Sequence, residues 1–95
     1  MRDYLFDWDE KKNKSNVRKH GISFLEARTV FLDENAIFIA DTEHSELEDR
    51  FHIIGFSGKL RLLVVCHCYR YNDVVRIISA RKANRNEKEQ YGGAT

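Results

Sequence analysis

Leu60-Arg61-Leu62-Leu63-Val64-Val65-Cys66-His67-Cys68-Tyr69, the break Arg70-Tyr71-Asn72-Asp73, and Val74-Val75-Arg76-Ile77-Ile78-Ser79-Ala80-Arg81-Lys82-Ala83 form the stretch whose reading decides the fold. β-Branched and aromatic residues fill both runs, and Asn72-Asp73 between them is a turn signal. The runs therefore read as two antiparallel strands, residues 60–69 and 74–80. Leu62, Leu63, Val64 and Val65 in succession put apolar side chains on both faces, which predicts a central strand. His67, Tyr69, Arg70, Arg76 and Arg81 interrupt the apolar pattern where a plain core hairpin would not need them. An imidazole, a phenol and several guanidiniums on one rim suit gripping and cleaving a phosphodiester.

Upstream, Arg50-Phe51-His52-Ile53-Ile54-Gly55-Phe56 predicts the preceding strand, turned by Ser57-Gly58. Ala36-Ile37-Phe38-Ile39-Ala40 predicts another, ending in a polar loop over residues 41–46. Ser23-Phe24-Leu25-Glu26 has the form of a capping box, with Ile22 and Ala27 at the staple positions. Phe24, Ala27, Val30 and Phe31 then make the apolar stripe of a core helix. Before it, Asp7 or Asp9 can cap a helix that runs to about His20 and stops at Gly21. Only Val17 is apolar inside that helix, whereas Lys12, Asn16, Lys19 and His20 share one face. Such a face either presents cations to a ligand or is merely solvated. Tyr4-Leu5-Phe6-Asp7-Trp8 suggests a short first strand, and Asn84 with Glu87 can cap a last helix ended by Gly92-Gly93. The order is β-α-α-β-β-β-β-α, which predicts an α+β fold of two layers, helices over a mostly antiparallel sheet of four to five strands.

Ninety-five residues without proline, linker or repeat make one domain over residues 1–95. A hydrophobic fraction of 42% supports a packed interior and argues against general disorder. No apolar run is long enough to span a membrane and no apolar leader is visible, so a cytoplasmic location is expected. Cys66 and Cys68 would point the same way from one strand, so a disulfide between them would be strained. The formal charge of +1 conceals −6 over residues 32–50 and +5 over residues 59–95. The basic C-terminal half suits a polyanion, while the acidic stretch is equally well an ordinary solvated surface.

Cleaving RNA without a metal needs a base, an acid and fixed positive charge for the phosphorane. His20 at a helix end and His67 on the central strand supply imidazoles. Arg50, Arg70, Arg76 and Arg81 lie near strand ends, where arginine makes bidentate phosphate contacts. Tyr69 and Tyr91 can stack on bases. Arg76 has many carboxylates available and is read as structural. Cys66-His67-Cys68 is not read as a metal site, because alternation turns His67 away from both thiols and no second ligand pair follows.

Phe6-Asp7-Trp8-Asp9, Lys12, Asn16, Lys19-His20-Gly21-Ile22, Phe24, Ala27, Arg50, Gly55, Arg76-Ile77-Ile78-Ser79-Ala80-Arg81-Lys82-Ala83, Glu87 and Tyr91 together resemble BrnT, the ribonuclease toxin family of BrnT/BrnA type II toxin–antitoxin modules. The resemblance covers about residues 4–91. It implies a RelE-like fold and a metal-independent endoribonuclease that inhibits translation. It further implies neutralisation by a BrnA-like ribbon-helix-helix antitoxin, the two forming a 2:2 complex that binds operator DNA. On this reading His20 is the general acid or base, and Arg50, Arg70 and Arg81 bind phosphate and stabilise the transition state. Lys12, Lys19, His67, Tyr69 and Tyr91 bind RNA, and no cofactor is expected. The same fold could instead serve a non-catalytic module binding RNA or protein. A DNA-binding regulator acting alone is disfavoured, since no helix-turn-helix is visible.

Overall fold

A computed structural model describes residues 4–41, 43 and 49–92, the side chain of Asn72 apart. Five strands form one sheet: β1 (Phe6–Asp7), β2 (Ile37–Asp41), β3 (Arg50–Phe56), β4 (Leu62–Tyr69) and β5 (Val75–Lys82), in the order β1-β5-β4-β3-β2. β4 is the middle strand, as its apolar run on both faces predicts. The β2–β3, β3–β4 and β4–β5 pairings are antiparallel, while β1 joins β5 in parallel. Most of the polar loop expected over residues 41–46 lies outside the described residues, as does Gly93.

Among the described residues there are three α-helices: α1 (Glu10–His20), α2 (Phe24–Ala27) and α3 (Arg85–Tyr91). Asp9 caps α1 by accepting from the Lys11 amide, and Gly21 ends it in the left-handed region at φ 70°. The expected core helix is short. After Ala27 it tightens into a 3₁₀ turn over Arg28–Leu32 that still buries Val30 and Phe31. Ser23 accepts from the Glu26 amide, but the reciprocal half of the capping box is absent because Glu26 turns inward to Arg61 and Ser57. α3 has both halves of its box, from Asn84 and Glu87.

α1, α2 and the 3₁₀ turn cover one face of the sheet. Ile22, Phe24, Ala27, Val30 and Phe31 pack there on Ile53, Leu63, Val65, Val75, Ile77 and Ala80. Gly55 lies where a Cβ would come within 3.0 Å of Val30, so the turn approaches β3 more closely than a side chain would allow. The opposite face holds a smaller cluster of Ile54, Val64 and Ala83, against which Ile39, Leu62 and Tyr91 pack. α3 therefore belongs to this second face. It covers only one end, and among the described residues no other helix packs on that face.

Candidate active site

Strand alternation decides which side chains reach the open face. Residues two apart on one strand share a side, so Arg50 and His52 project together from β3, and Val64 and Cys66 from β4. On β5 the pairing steps from Cys66 with Ser79 to His67 with Ile77, leaving Ile78 as an extra residue. This bulge lets Ile78 and Ser79 both face the same side, with Arg81 beyond them. With Asp41 and Glu43 at the end of β2, these side chains line an open cleft of about 410 Å³.

The cleft has an ordered electrostatic pattern. Asp41, at the end of β2, faces the His52 imidazole with Oδ2 3.2 Å from Nε2. Arg81 donates from Nη1 and Nη2 to the two carboxylate oxygens of Glu87 at 2.6 and 2.8 Å. That bidentate pair holds the Glu87 carboxyl below the usual carboxylate range and raises the Arg81 guanidinium. Burial, assisted by Asp41, pushes the Cys66 thiol up to about 11. Two acids and two guanidiniums line the cleft, so their formal charges cancel.

The backbone carrying Ser79 and Arg81 is held from the other side of the sheet. Asn16, 6% exposed, donates from Nδ2 to the carbonyls of Ile22 and Ala80, each at 2.8 Å. The Ala80 amide donates back to Asn16 Oδ1 at 3.1 Å. The one buried polar residue of α1 thus fixes the segment whose two neighbours reach the cleft.

Of the residues singled out in sequence, Arg50 and Arg81 share the cleft. His20, Lys12 and Lys19 are exposed on α1, across the sheet from it. Arg70 is exposed just past the end of β4 and does not line it. The expectation of one pocket holding His20 with all three arginines is thereby corrected, because α1 covers the face opposite Arg81. His67 is a further correction. It is 0% exposed, its ring centroid lies 4.8 Å from that of Phe31, and Nδ1 donates to the Val65 carbonyl at 3.1 Å. Burial lowers its pKa to about 4, so it is a neutral core imidazole out of reach of any RNA. Tyr69 stacks edge-on against Phe51 and His67, on the helix-covered side. Tyr91 donates to Asp33 Oδ2 at 2.6 Å and packs on Phe56, which clasps α3 to the sheet end. Arg76 pairs with Asp7, in agreement with a structural role.

Sequence reasoning missed His52 and Asp41. The signal for His52 was present, since it follows Arg50 by two positions on a strand. Asp41 required the pairing of β2 with β3, which sequence spacing does not reveal.

No curated protein matches the chain in sequence. The crystal structure of the Brucella abortus ribonuclease toxin, BrnT, shares the fold with a TM-score of 0.66 at 24% identity, over 87% of this chain and 100% of that one. Residues 8–87 match the family described as ribonuclease toxin, BrnT, of type II toxin-antitoxin system. With β2 to β5, α1 and α2 inside that match, the chain belongs to the BrnT family of ribonuclease toxins.

Proposed function

We propose that this chain acts as an endoribonuclease in the open cleft, as the toxin of a type II toxin–antitoxin module. The observation that carries the reading is that Arg50, Arg81 and the Asp41-held His52 converge on one open cleft, on the sheet face opposite α1 and α2. In the proposed mechanism the guanidiniums bind the scissile phosphate and balance the charge that grows on it. Arg81 keeps N–H donors beyond the two that Glu87 engages. His52 carries the proton, either from the attacking 2′-hydroxyl or to the departing 5′-oxygen. Asp41 holds Nε2, leaving Nδ1 as the nitrogen that exchanges with substrate. No step in this scheme uses a metal. His52 thus takes the role expected of His20, while Lys12 and Lys19 are proposed to bind RNA outside the cleft.

Family membership implies an antitoxin partner and an RNA target. We further propose that the antitoxin is a BrnA-like ribbon-helix-helix protein, that the pair forms a 2:2 operator-binding complex, and that both work in the cytoplasm. Two buried free cysteines and the absence, among the described residues, of a helix able to cross a membrane are consistent with that setting.

The test is cleavage of RNA by the pure chain with chelator present. Arg50→Ala and Arg81→Ala are each expected to slow cleavage by about 10²-fold or more. His52→Ala is expected to do the same and to flatten the pH profile. Full activity in His52→Ala with loss in His20→Ala would return the role to His20. RNA binding without cleavage by the parent chain would instead make it a binding module.

A further inference from the structure

Three side chains on adjacent strands of the open face carry ligand chemistry that the nuclease reading uses only in part. Asp41 from β2, His52 from β3 and Cys66 from β4 offer one carboxylate oxygen, one imidazole nitrogen and one sulfur, all within 4.8 Å of one another. His52 and Cys66 are directly paired across β3 and β4, so the sheet's own register holds two of the three. Asp41 and Cys66 are buried, and His52 is partly exposed toward the cleft.

We propose that Asp41, His52 and Cys66 form a binding site for a borderline-soft divalent cation of the zinc class, and that its occupancy switches the nuclease off. Tetrahedral zinc with bonds of about 2.0–2.3 Å puts its ligand atoms about 3.3–3.8 Å apart. The Asp41–His52 separation of 3.2 Å lies just under that spacing, and the sulfur, within 4.8 Å of both, needs to close by roughly 1.0–1.3 Å at most. The oxygen, nitrogen and sulfur set selects zinc, cobalt or nickel over magnesium or calcium, which prefer all-oxygen shells. Three protein ligands leave a fourth position, which opens onto the cleft and takes water or a phosphate oxygen. On binding, the Cys66 thiol releases its proton to solvent, and His52 takes the tautomer with its proton on Nδ1, so that the Nε2 lone pair goes to the metal. With Nε2 on the metal and Nδ1 protonated, the imidazole can no longer accept a proton from the 2′-hydroxyl. The switch rests on the nuclease reading above; the cation site does not.

Cobalt(II) titrated into the chelator-stripped chain is the test, with zinc as competitor. The expected result is a thiolate-to-cobalt charge-transfer band and tetrahedral d–d absorption at one equivalent, both erased by zinc and untouched by excess magnesium. Cys66→Ser is expected to lose the charge-transfer band, and Cys68→Ser to keep it. On RNA, zinc is expected to cut the rate by about tenfold or more and chelator to restore it, whereas the rate of Cys66→Ser, taken relative to its own chelator-treated value, resists zinc. Absence of the band in the folded parent, or its survival in Cys66→Ser, would overturn the site. Zinc-stimulated cleavage would overturn the switch. A chain that shows the band yet cuts no RNA under chelator would sink the nuclease reading and leave the cation site standing.

Discussion

The amide of Asn16 brackets the peptide of Ala80, accepting from its N–H at 3.1 Å and donating to its carbonyl at 2.8 Å. A helix with almost no apolar residues is therefore docked by one polar residue, and it is docked on the strand between two cleft side chains. Asn16→Ala leaves the Ile22 and Ala80 groups unpaired in a buried place. The expected loss is about 2–4 kcal/mol of stability, because each buried polar group left unmatched costs about 1–3 kcal/mol. Cleavage measured well below the lowered melting temperature is also expected to fall, since Ser79 and Arg81 flank the released peptide. A variant that melts early but cuts at the parent rate would show that Asn16 supports the fold alone.

Glu26 gives a second test. Its carboxylate is 6% exposed and receives both Arg61, through Nε and Nη2, and the Ser57 hydroxyl. Arg61 chiefly holds the Glu26 carboxyl below its usual range, against the opposing effect of burial. Arg61→Met removes the charged partner and is expected to cost about 2–4 kcal/mol, less than a fully buried pair because Arg61 is part exposed. Pairing it with Glu26→Leu removes the stranded charge and is expected to recover most of that loss. If the double variant were no better than Arg61→Met in urea melts, the buried charge would not be the cause.

The elements were legible because their local signals agree with their tertiary use. The apolar run of β4 demanded burial on both faces, Gly21 demanded a helix end, and Asn84 with Glu87 made the box they promised. The site was legible only by half. Arg50 and Arg81 came together as expected, but a polar helix carrying His20 and lysines read as a ligand-facing surface when its buried contact is Asn16. His67 read as a site residue because an imidazole on an apolar strand looks purposeful. Alternation gives the two sides of a strand but not which of them the helices cover, and here they cover that of His67. Asp41, His52 and Cys66 lie on three strands, so only the register brings them within reach of one another.

That buried imidazole makes stability depend on pH in a defined window. The unfolded histidine titrates near 6.5 and His67 in the fold near 4, so below pH 6.5 the unfolded chain binds more protons. The contribution is complete above pH 6.5 and is lost as pH falls toward 4. Between pH 7 and pH 5 the expected loss is about 2 kcal/mol. The depressed carboxyls of Glu26, Asp33 and Glu87 act in a lower window, below their ordinary values of 3.8 to 4.5, so they leave this interval clear. His67→Leu is expected to lose most of the pH 7 to 5 dependence in urea melts. An unchanged slope in that variant would assign the acid sensitivity to another group.

Glu87 serves Arg81 and its own helix at once, and the two roles can be separated. Its Oε1 accepts from the Asn84 amide as well as from Arg81, so the α3 cap and the ion pair share one carboxylate. Glu87→Gln keeps a group that completes a capping box but removes the charge that neutralises Arg81. The pair is part exposed, so its loss is expected to cost only about 0.5–1 kcal/mol. Loss of the Glu87 charge leaves Arg81 without its neutralising partner, so the net charge around the cleft rises by one. RNA binding is expected to tighten, and its salt dependence to steepen by nearly one added phosphate contact, a log–log slope change of about −0.7 for a single strand. Arg81→Ala on the Glu87→Gln background is expected to reverse both effects. Equal affinity and salt slope in parent and Glu87→Gln, with α3 intact by circular dichroism, would mean that Arg81 meets no phosphate and the cleft is not the RNA site.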